Sequence, residues 1–126
     1  MARPLPKRFN CPTEFALTVL GGKWKTIIIA YLGERPCHYG ELRQLLPDLS
    51  DKVLTERLQD LQRAGLVGRA KSVMSKSRRS YVLTARGATL RPILTDLYLW
   101  GSSHADSFGV QVGNPLQKLD GSRCGT

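Results

Sequence analysis

The sequence predicts an α+β fold that is mainly α-helical and carries one small β-hairpin. Apolar residues recur at helical spacing in several segments, and glycine and proline separate these segments from one another. Two short strand-like segments flank a polar, basic connection, as in a hairpin. A chain of 126 residues can bury one core without the help of a metal or of disulfides. We therefore expect one folded domain over residues 11–105, between a flexible basic arm over residues 1–10 and a flexible C-terminal tail over residues 106–126.

Two helices are predicted in the first third of the chain. The first covers residues 13–20, with Thr13 as its N-cap residue and a pair of glycines as its stop. The second covers residues 23–32 and ends at Gly33. Its apolar residues repeat at the spacing that places them on one face of a helix, and they are Trp24, Ile27, Ile28, Tyr31 and Leu32.

Two further helices are expected on either side of a tight turn. The earlier one begins near Tyr39 and must end before Pro47, because the residue before a proline disfavours helical backbone. Ser50 is then placed to cap a helix over residues 51–64, whose leucines repeat at helical spacing. Gly65 suits the left-handed position that ends such a helix.

A basic hairpin and one long helix complete the domain. The strands are expected over residues 66–72 and 79–83, with a polar, basic segment between them. Thr84 is placed to cap the final helix, which extends to about residue 104. Pro92 lies inside that helix and is expected to kink it.

This order of elements is the arrangement of a winged helix-turn-helix. A DNA major groove is about 12 Å wide and admits one helix, whose N-terminal residues then meet base edges. A basic hairpin beside that helix can reach the neighbouring backbone or minor groove. The order therefore predicts a DNA-binding module with the helix over residues 51–64 in the groove.

The charge of the chain also favours double-stranded DNA as the partner. The formal net charge is +9, which attracts polyanions. Between residues 65 and 105 the sequence has one acidic residue, Asp96. The basic residues of the same segment are Arg69, Lys71, Lys76, Arg78, Arg79, Arg86 and Arg91. Such segregation is hard to explain as an ordinary solvated surface.

Other function classes lack the residues that they need. There is no phosphate-binding glycine loop, nucleophile motif or acid–base pair at a useful spacing, so we expect neither enzyme activity nor a cofactor. The cysteines Cys11, Cys37 and Cys124 are odd in number and irregularly spaced, which predicts neither a disulfide framework nor a metal site. No apolar run approaches the roughly 20 residues of a membrane span, and no apolar stretch follows the basic start. We expect a cytoplasmic protein with no membrane partner.

Several segments match the pattern of one known family. They are Cys-Pro at residues 11–12, GGKW at 21–24, KVLTERL at 52–58, Gly-Leu-Val at 65–67 and Trp-Gly at 100–101. The sequence resembles the HxlR-type family of bacterial winged-helix transcription regulators, related to the MarR group, over residues 11–105. The wing of that family commonly carries a proline pair, whereas this chain has Ser-Lys-Ser-Arg-Arg at 75–79.

The resemblance implies a homodimer that binds an inverted-repeat operator and acts mostly as a repressor. It implies dimerisation through the first and last helices, here residues 13–20 and 90–104. Some members sense electrophiles or oxidants through the cysteine that corresponds to Cys11. Two alternatives stay open: a regulator of the same fold that responds to a small-molecule effector in a dimer-interface pocket, and a non-specific architectural DNA-binding protein.

A group of polar side chains on the groove helix and the wing are the candidates for DNA contact: Ser50, Lys52, Thr55, Glu56, Arg57, Lys76, Arg78 and Arg79. Ser50 suits phosphate contact as well as capping, and Thr55 suits a base or a thymine methyl group. Lys52 and Arg57 suit phosphate or guanine. The competing interpretations are a solvated helix face, pairing of Glu56 within its own helix, and pairing of Arg79 with a nearby acid.

Cys11 is the candidate redox-sensing residue. It precedes a predicted helix and follows Lys7 and Arg8, and both a helix dipole and nearby cations favour the reactive thiolate. The competing interpretation is an inert cysteine retained for packing. Cys37 is expected to be a small buried hydrophobe. Both tryptophans lie on apolar helical faces, which predicts that they pack in the core.

Overall fold

The computed structural model describes residues 5–71 and 79–115, and these form the mainly helical fold with a β-hairpin that the sequence predicts. The elements in chain order are α1 (Pro12–Leu20), α2 (Lys25–Glu34), α3 (Tyr39–Leu45), α4 (Asp51–Arg63), β1 (Val67–Lys71), β2 (Arg79–Leu83), α5 (Ala85–Ala88) and α6 (Arg91–His104). A single 3-10 turn, Asp106–Phe108, follows α6. The predicted arm and tail lie partly outside the described residues, and the division into arm, domain and tail stays a prediction.

Helix α4 has both of the ends that its sequence predicts. The Ser50 hydroxyl accepts a hydrogen bond from the Val53 backbone N–H at 3.1 Å, which satisfies a donor that the helix itself leaves unpaired. Gly65 follows the helix with φ of 76°. The Leu66 N–H donates to the Leu61 carbonyl at 2.9 Å, which completes a Schellman ending. These ends fix the length of α4 by local chemistry.

The starts of α1 and α2 differ from the prediction. Thr13 is not the N-cap residue, because α1 begins at Pro12 and Cys11 holds the cap position. A proline suits the first helical position, where its missing N–H has no partner to lose. Helix α2 begins at Lys25 rather than residue 23, because Trp24 is left-handed, with φ of 87°. This strained conformation is held by the packing of the half-buried Trp24 ring against the core, as predicted for that residue.

Gly33 does not end α2. The helix continues through Glu34, with Gly33 inside it. The Arg91 side chain crosses the helix at this point, and a β-carbon on Gly33 would lie 2.8 Å from its Nε atom. The glycine therefore serves close packing between helices, which the sequence pattern alone does not distinguish from a helix stop.

The predicted final helix is two helices. Thr84 caps α5 as expected, because its hydroxyl accepts from the Gly87 N–H at 3.0 Å. The chain then turns and restarts as α6, with Pro92 in the first turn of the new helix. Pro92 therefore marks a helix start and not a kink, since a proline in the first turn breaks no intrahelical hydrogen bond.

The hairpin is antiparallel, with Val67 opposite Leu83 and Lys71 opposite Arg79. Its far end, residues 72–78, lies outside the described residues. Cys37 adds a contact that the sequence does not reveal, because its backbone exchanges two hydrogen bonds with Tyr81, at 3.2 and 2.7 Å. The segment between α2 and α3 is thereby tied to the hairpin.

The hydrophobic core lies where α2, α3, α4 and the hairpin meet. Its largest fully buried side chains are Tyr31, Ile28, Ile29, Leu42, Leu54, Leu58, Leu61 and Cys37. The apolar stripe of α4 and the buried, hydrophobic role of Cys37 are confirmed. Because α4 buries only this stripe, the rest of its surface remains available at the outside of the domain.

Within the described residues no single helix has the length and apolar composition to cross a bilayer, and α1 with α2 passes that test only as a pair bent by 79°. In the same part of the chain no group of three or more His, Cys, Asp or Glu side chains is arranged to hold a metal ion.

Candidate nucleic-acid interface

The N-terminus of α4 is fixed by a polar cluster that joins it to α3. The Tyr39 hydroxyl donates to Asp51 Oδ1 at 2.8 Å, and Arg43 Nε lies 3.0 Å from the same oxygen. The Arg43 guanidinium also donates to the Leu49 carbonyl in the turn between the helices. Burial raises the pKa of Tyr39, so its phenol stays protonated and remains a donor at neutral pH. These side chains orient the helix that is the candidate for the groove.

Three of the predicted contact residues lie on the exposed start of α4. Ser50, Lys52 and Thr55 are all exposed. Ser50 is engaged as the helix cap, and the Thr55 hydroxyl lies 3.4 Å from the Tyr39 hydroxyl. The exposed helix N-terminus carries a partial positive charge and uncommitted N–H groups of the kind that suit a phosphate. This end of α4 has the shape and chemistry that groove binding needs.

Glu56 and Arg57 are less accessible than expected. Both are half-buried, and Arg57 Nε donates to the Lys23 carbonyl at 3.1 Å. Arg57 therefore connects α4 to the turn before α2, a role that its sequence position does not suggest. Glu56 forms no ion pair with any residue in the ranges 5–71 and 79–115, so its predicted pairing within α4 is absent.

The base of the wing presents basic side chains. Arg79 is exposed and lies opposite Lys71 across the hairpin. Arg69 places its guanidinium 4.6 Å from the centre of the Tyr81 ring, a cation–π contact. Lys76 and Arg78 lie outside the described residues. The described part of the wing thus carries positive charge on the strands next to α4.

His38 is a structural residue of this surface that sequence reasoning missed. Its backbone N–H donates to Glu41 Oε1 at 2.7 Å, which caps α3. Its ring Nδ1 lies 3.4 Å from the Ser80 hydroxyl and 3.5 Å from the Arg79 carbonyl at the start of β2. The three-residue spacing to Glu41 is the signal that could have identified the cap. His38 therefore joins the first helix of the helix-turn-helix to the wing.

Cys11 lies at the N-cap of α1 and is partly exposed. The pKa of its thiol is lowered by hydrogen bonds from the backbone N–H of Glu14, then from the backbone and side chain of Thr13. The cause is thus the helix N-terminus, as expected, whereas the cations Lys7 and Arg8 do not contribute. Cys11 combines access with a stabilised thiolate, the two properties of a reactive cysteine.

Alkylation should reveal this thiolate directly. In a Cys124→Ser variant, we expect the rate of Cys11 alkylation by iodoacetamide to rise at a lower pH in the folded protein than in the urea-unfolded chain. A lowered folded-state pKa leaves more thiolate at any pH below the unfolded value. Mass spectrometry of the Cys11 and Cys37 peptides measures both rates, and the buried Cys37 serves as the unreactive control in the folded protein. Coincident folded and unfolded profiles would contradict the assignment.

Large apolar side chains on α1, on α6 and just after α6 are not covered within one chain. We call them the exposed apolar surface, and they are Phe15, Leu17, Ile93, Leu97, Tyr98, Leu99, Trp100, Phe108, Val110 and Val112. Trp100 is 56% exposed, so its predicted place in the core is wrong. It stacks on His104 at 4.3 Å between ring centres, on a helix with no buried residue. Single chains rarely leave such a surface in water, because its exposure is costly.

The turn between α3 and α4, the exposed start of α4 and the basic hairpin together define a winged helix-turn-helix DNA-binding regulator. The chain belongs to the HxlR-like helix-turn-helix family, whose model matches residues 19–108. The resemblance found in the sequence is thereby confirmed.

Relatives and solved structures agree on this class. The uncharacterized HTH-type transcriptional regulator YybR of Bacillus subtilis (strain 168) is 34% identical over 113 residues, which are 90% of each chain. The redox regulator HypR in its reduced form matches with a TM-score of 0.71 and 34% identity, over 79% of this chain and 98% of that one. The reduced transcriptional regulator YodB from B. subtilis matches with a TM-score of 0.64 and 29% identity, over 74% and 92%. HypR is also known in an oxidised form, and YodB in quinone-bound and diamide-treated forms. The protein is a helix-turn-helix transcription regulator and not an enzyme.

Proposed function

We propose that this regulator is a cytoplasmic repressor that binds an inverted-repeat operator as a homodimer and leaves it when Cys11 is modified. The observation that carries the DNA-binding part is the capped, exposed start of α4 beside a basic hairpin. A helix presented by its N-terminus, with its back packed on the core, is the usual element for reading a major groove.

The side chains divide into those that position the protein and those that read sequence. Lys52 contacts phosphate or a guanine edge, and Thr55 contacts a base or a thymine methyl group. Ser50 adds a phosphate contact at the helix N-terminus. The wing residues Lys76, Arg78 and Arg79 contact the neighbouring backbone. Arg57 reaches DNA with the guanidinium nitrogens other than Nε, and Glu56 accepts from cytosine at the edge of the same face.

The homodimer is supported by the exposed apolar surface. Trp100 and Phe108 are 56% and 69% exposed, and Leu17 of α1 is 58% exposed. Burial of such side chains is the dominant favourable term in association. A second copy of the chain covers them in our proposal, and the symmetry of that pair matches the symmetry of an inverted repeat.

The proposed signal is an electrophile or oxidant that reacts at the Cys11 thiolate. The lowered pKa of Cys11 and its partial exposure support reactivity, and the solved redox regulators HypR and YodB are structurally similar chains. With a quinone, the thiolate electron pair forms a carbon–sulfur bond at a ring carbon as the C=C π bond breaks, and the displaced electrons move to the carbonyl oxygen, which takes up a proton. With a peroxide, one oxygen is transferred to the sulfur as the O–O bond breaks, and the other oxygen leaves as water after protonation. The adduct then lies at the start of α1, which carries part of the exposed apolar surface, so it changes the separation of the two α4 helices.

A selection of binding sites from random DNA tests this proposal. The selection is run with reduced protein and repeated after a quinone or mild oxidant, with Cys11→Ser as the matched variant. Enrichment of an inverted repeat that is lost on treatment of the natural protein, and kept by Cys11→Ser, is the expected result. Release of the variant by the same treatment would overturn the sensing role. Equal affinity for the enriched repeat and for random DNA at fixed salt would favour the architectural alternative.

The wing is expected to add affinity without adding sequence preference. Replacement of both Arg78 and Arg79 by Ala should weaken binding to operator and random DNA by the same factor, because phosphate contacts carry no sequence information. The slope of the logarithm of affinity against the logarithm of salt concentration should fall by about 2. Fluorescence anisotropy over a salt series measures both. Arg91→Gln, which removes a charge on α6, is the control, and an unchanged slope in the double variant would exclude the wing as a phosphate contact.

A further inference from the structure

The first residue of α4 is an acid, Asp51, which is not among the predicted DNA contacts. Its side chain is 76% exposed, and it lies between Ser50 and Lys52, which are both exposed candidates for DNA contact. The first residues of a recognition helix are the ones that meet base edges. A negative charge at this position is repelled by the DNA phosphates, so general attraction to DNA does not account for Asp51.

The Asp51 carboxylate is held in one orientation through one of its two oxygens. The Tyr39 hydroxyl donates to Oδ1 at 2.8 Å, and Arg43 Nε lies 3.0 Å from the same atom. Both donors belong to α3, so they fix the carboxylate relative to the other helix of the helix-turn-helix. Within residues 5–71 and 79–115, no hydrogen bond or ion pair engages Oδ2. Asp51 therefore presents one fixed and uncommitted acceptor at the start of α4.

Arg43 also balances the charge of this acceptor. Its guanidinium donates to the Leu49 carbonyl as well, which keeps it beside the carboxylate instead of extended into solvent. A paired carboxylate adds less repulsion from the phosphates than an isolated one, because the guanidinium charge offsets its own at close range. The hydrogen bond that its free oxygen accepts remains directional and charge-assisted. The pair therefore lowers the cost of placing an acid near DNA and keeps its ability to select a donor.

We propose that Asp51 determines specificity for a cytosine in each operator half-site, with Oδ2 accepting from the cytosine N4 amino group. In the major groove, guanine and thymine present acceptors, which a carboxylate repels. Adenine presents a donor beside the N7 acceptor, whereas cytosine presents its amino donor without an adjacent acceptor. A fixed carboxylate thus favours cytosine and disfavours the other three bases. This role rests on the proposed function, in which α4 lies in the major groove, and Tyr39 is a positioning residue that acts through Asp51.

Selection from random DNA with three proteins tests the role of Asp51. They are the natural protein, Asp51→Asn and the matched control Asp48→Asn, which makes the same charge change at an exposed acid in the turn before α4. We expect one C·G pair in each half-site to be enriched by the natural protein and by the control, and not by Asp51→Asn. Asparagine presents a donor as well as an acceptor, so it loses the preference for cytosine. Fluorescence anisotropy at fixed salt then compares the enriched operator with a version that carries T·A at this pair. The natural protein should lose about tenfold in affinity and Asp51→Asn less than about twofold.

Tyr39→Phe tests the positioning of the carboxylate separately, and thermal unfolding establishes that each variant is folded. Loss of the hydroxyl that holds Oδ1 should reduce discrimination between the two operators about threefold. General damage to the fold would instead lower both affinities by the same factor and leave their ratio unchanged. A motif from Asp51→Asn that is identical to the natural one would overturn the role of Asp51 and leave the proposed function intact. Absence of any motif with the natural protein would overturn both.

Discussion

Replacement of Trp100 by Asp is expected to abolish the homodimer and to weaken operator binding by roughly a hundredfold. Two linked modules bind two half-sites with the advantage of a high effective concentration, which a monomer loses. A carboxylate placed in an apolar interface must also give up its hydration, which opposes association. Sedimentation velocity measures the dimer, and fluorescence anisotropy compares the full inverted repeat with a single half-site.

The variant should remain folded, since Trp100 is more than half exposed and α6 buries none of its residues in the single chain. Its binding to a half-site should therefore be unchanged. Ser102→Asp is the matched control, because it adds the same charge at an exposed position of α6 outside the exposed apolar surface. A Trp100→Asp protein that sediments as a dimer and keeps its operator affinity would exclude this face as the dimer interface.

Replacement of Gly87 by Ala is expected to destabilise the fold by about 3 kcal/mol and to lower Tm by roughly 10 °C. Gly87 is buried in α5, and a β-carbon there would overlap the Leu66 carbonyl oxygen and lie 3.1 Å from the carbonyl carbon. Both atoms belong to backbone that is fixed by the end of α4. Calorimetry or circular dichroism melting measures the loss.

Gly40→Ala is the matched control, because Gly40 lies in α3 with open space around its β-carbon position. Alanine has the higher helix propensity, so this variant should gain about 0.5 kcal/mol. A Gly87→Ala protein as stable as the natural one would show that α5 can move away from the end of α4.

The local features of this fold could be predicted, and its tertiary contacts could not. Ser50 and Gly65 have short-range signatures, since a cap and a left-handed residue act on the nearest backbone groups. By residue type alone, Gly33 resembles a helix stop and Pro92 a kink inside a helix, and both predictions are wrong. Gly33 is required by the close approach of the Arg91 side chain from α6, and Pro92 lies in the first turn of a new helix. The spacing of residues in the sequence reveals neither fact.

In the candidate site, too, the exposed residues of one helix could be predicted from the sequence, whereas contacts between distant segments could not. Helical periodicity identifies which residues of α4 face away from the core, so Lys52 and Thr55 could be selected from the sequence. It does not show that Arg57 bonds the Lys23 carbonyl, because that contact joins segments far apart in the chain. Trp100 was expected in the core because periodicity identifies an apolar face and not what covers it.

The hydrogen bond from Arg57 to the Lys23 carbonyl joins the groove helix α4 to the turn after α1. Lys23 lies in the short turn that follows α1, whose first residue comes directly after Cys11. If chemistry at Cys11 lowers operator affinity through this turn, thermodynamic reciprocity requires that bound operator disfavour the modification of Cys11 by the same factor. At equilibrium, a reversible modification of Cys11 is then more extensive in the molecules that are not on DNA than in those bound to the operator.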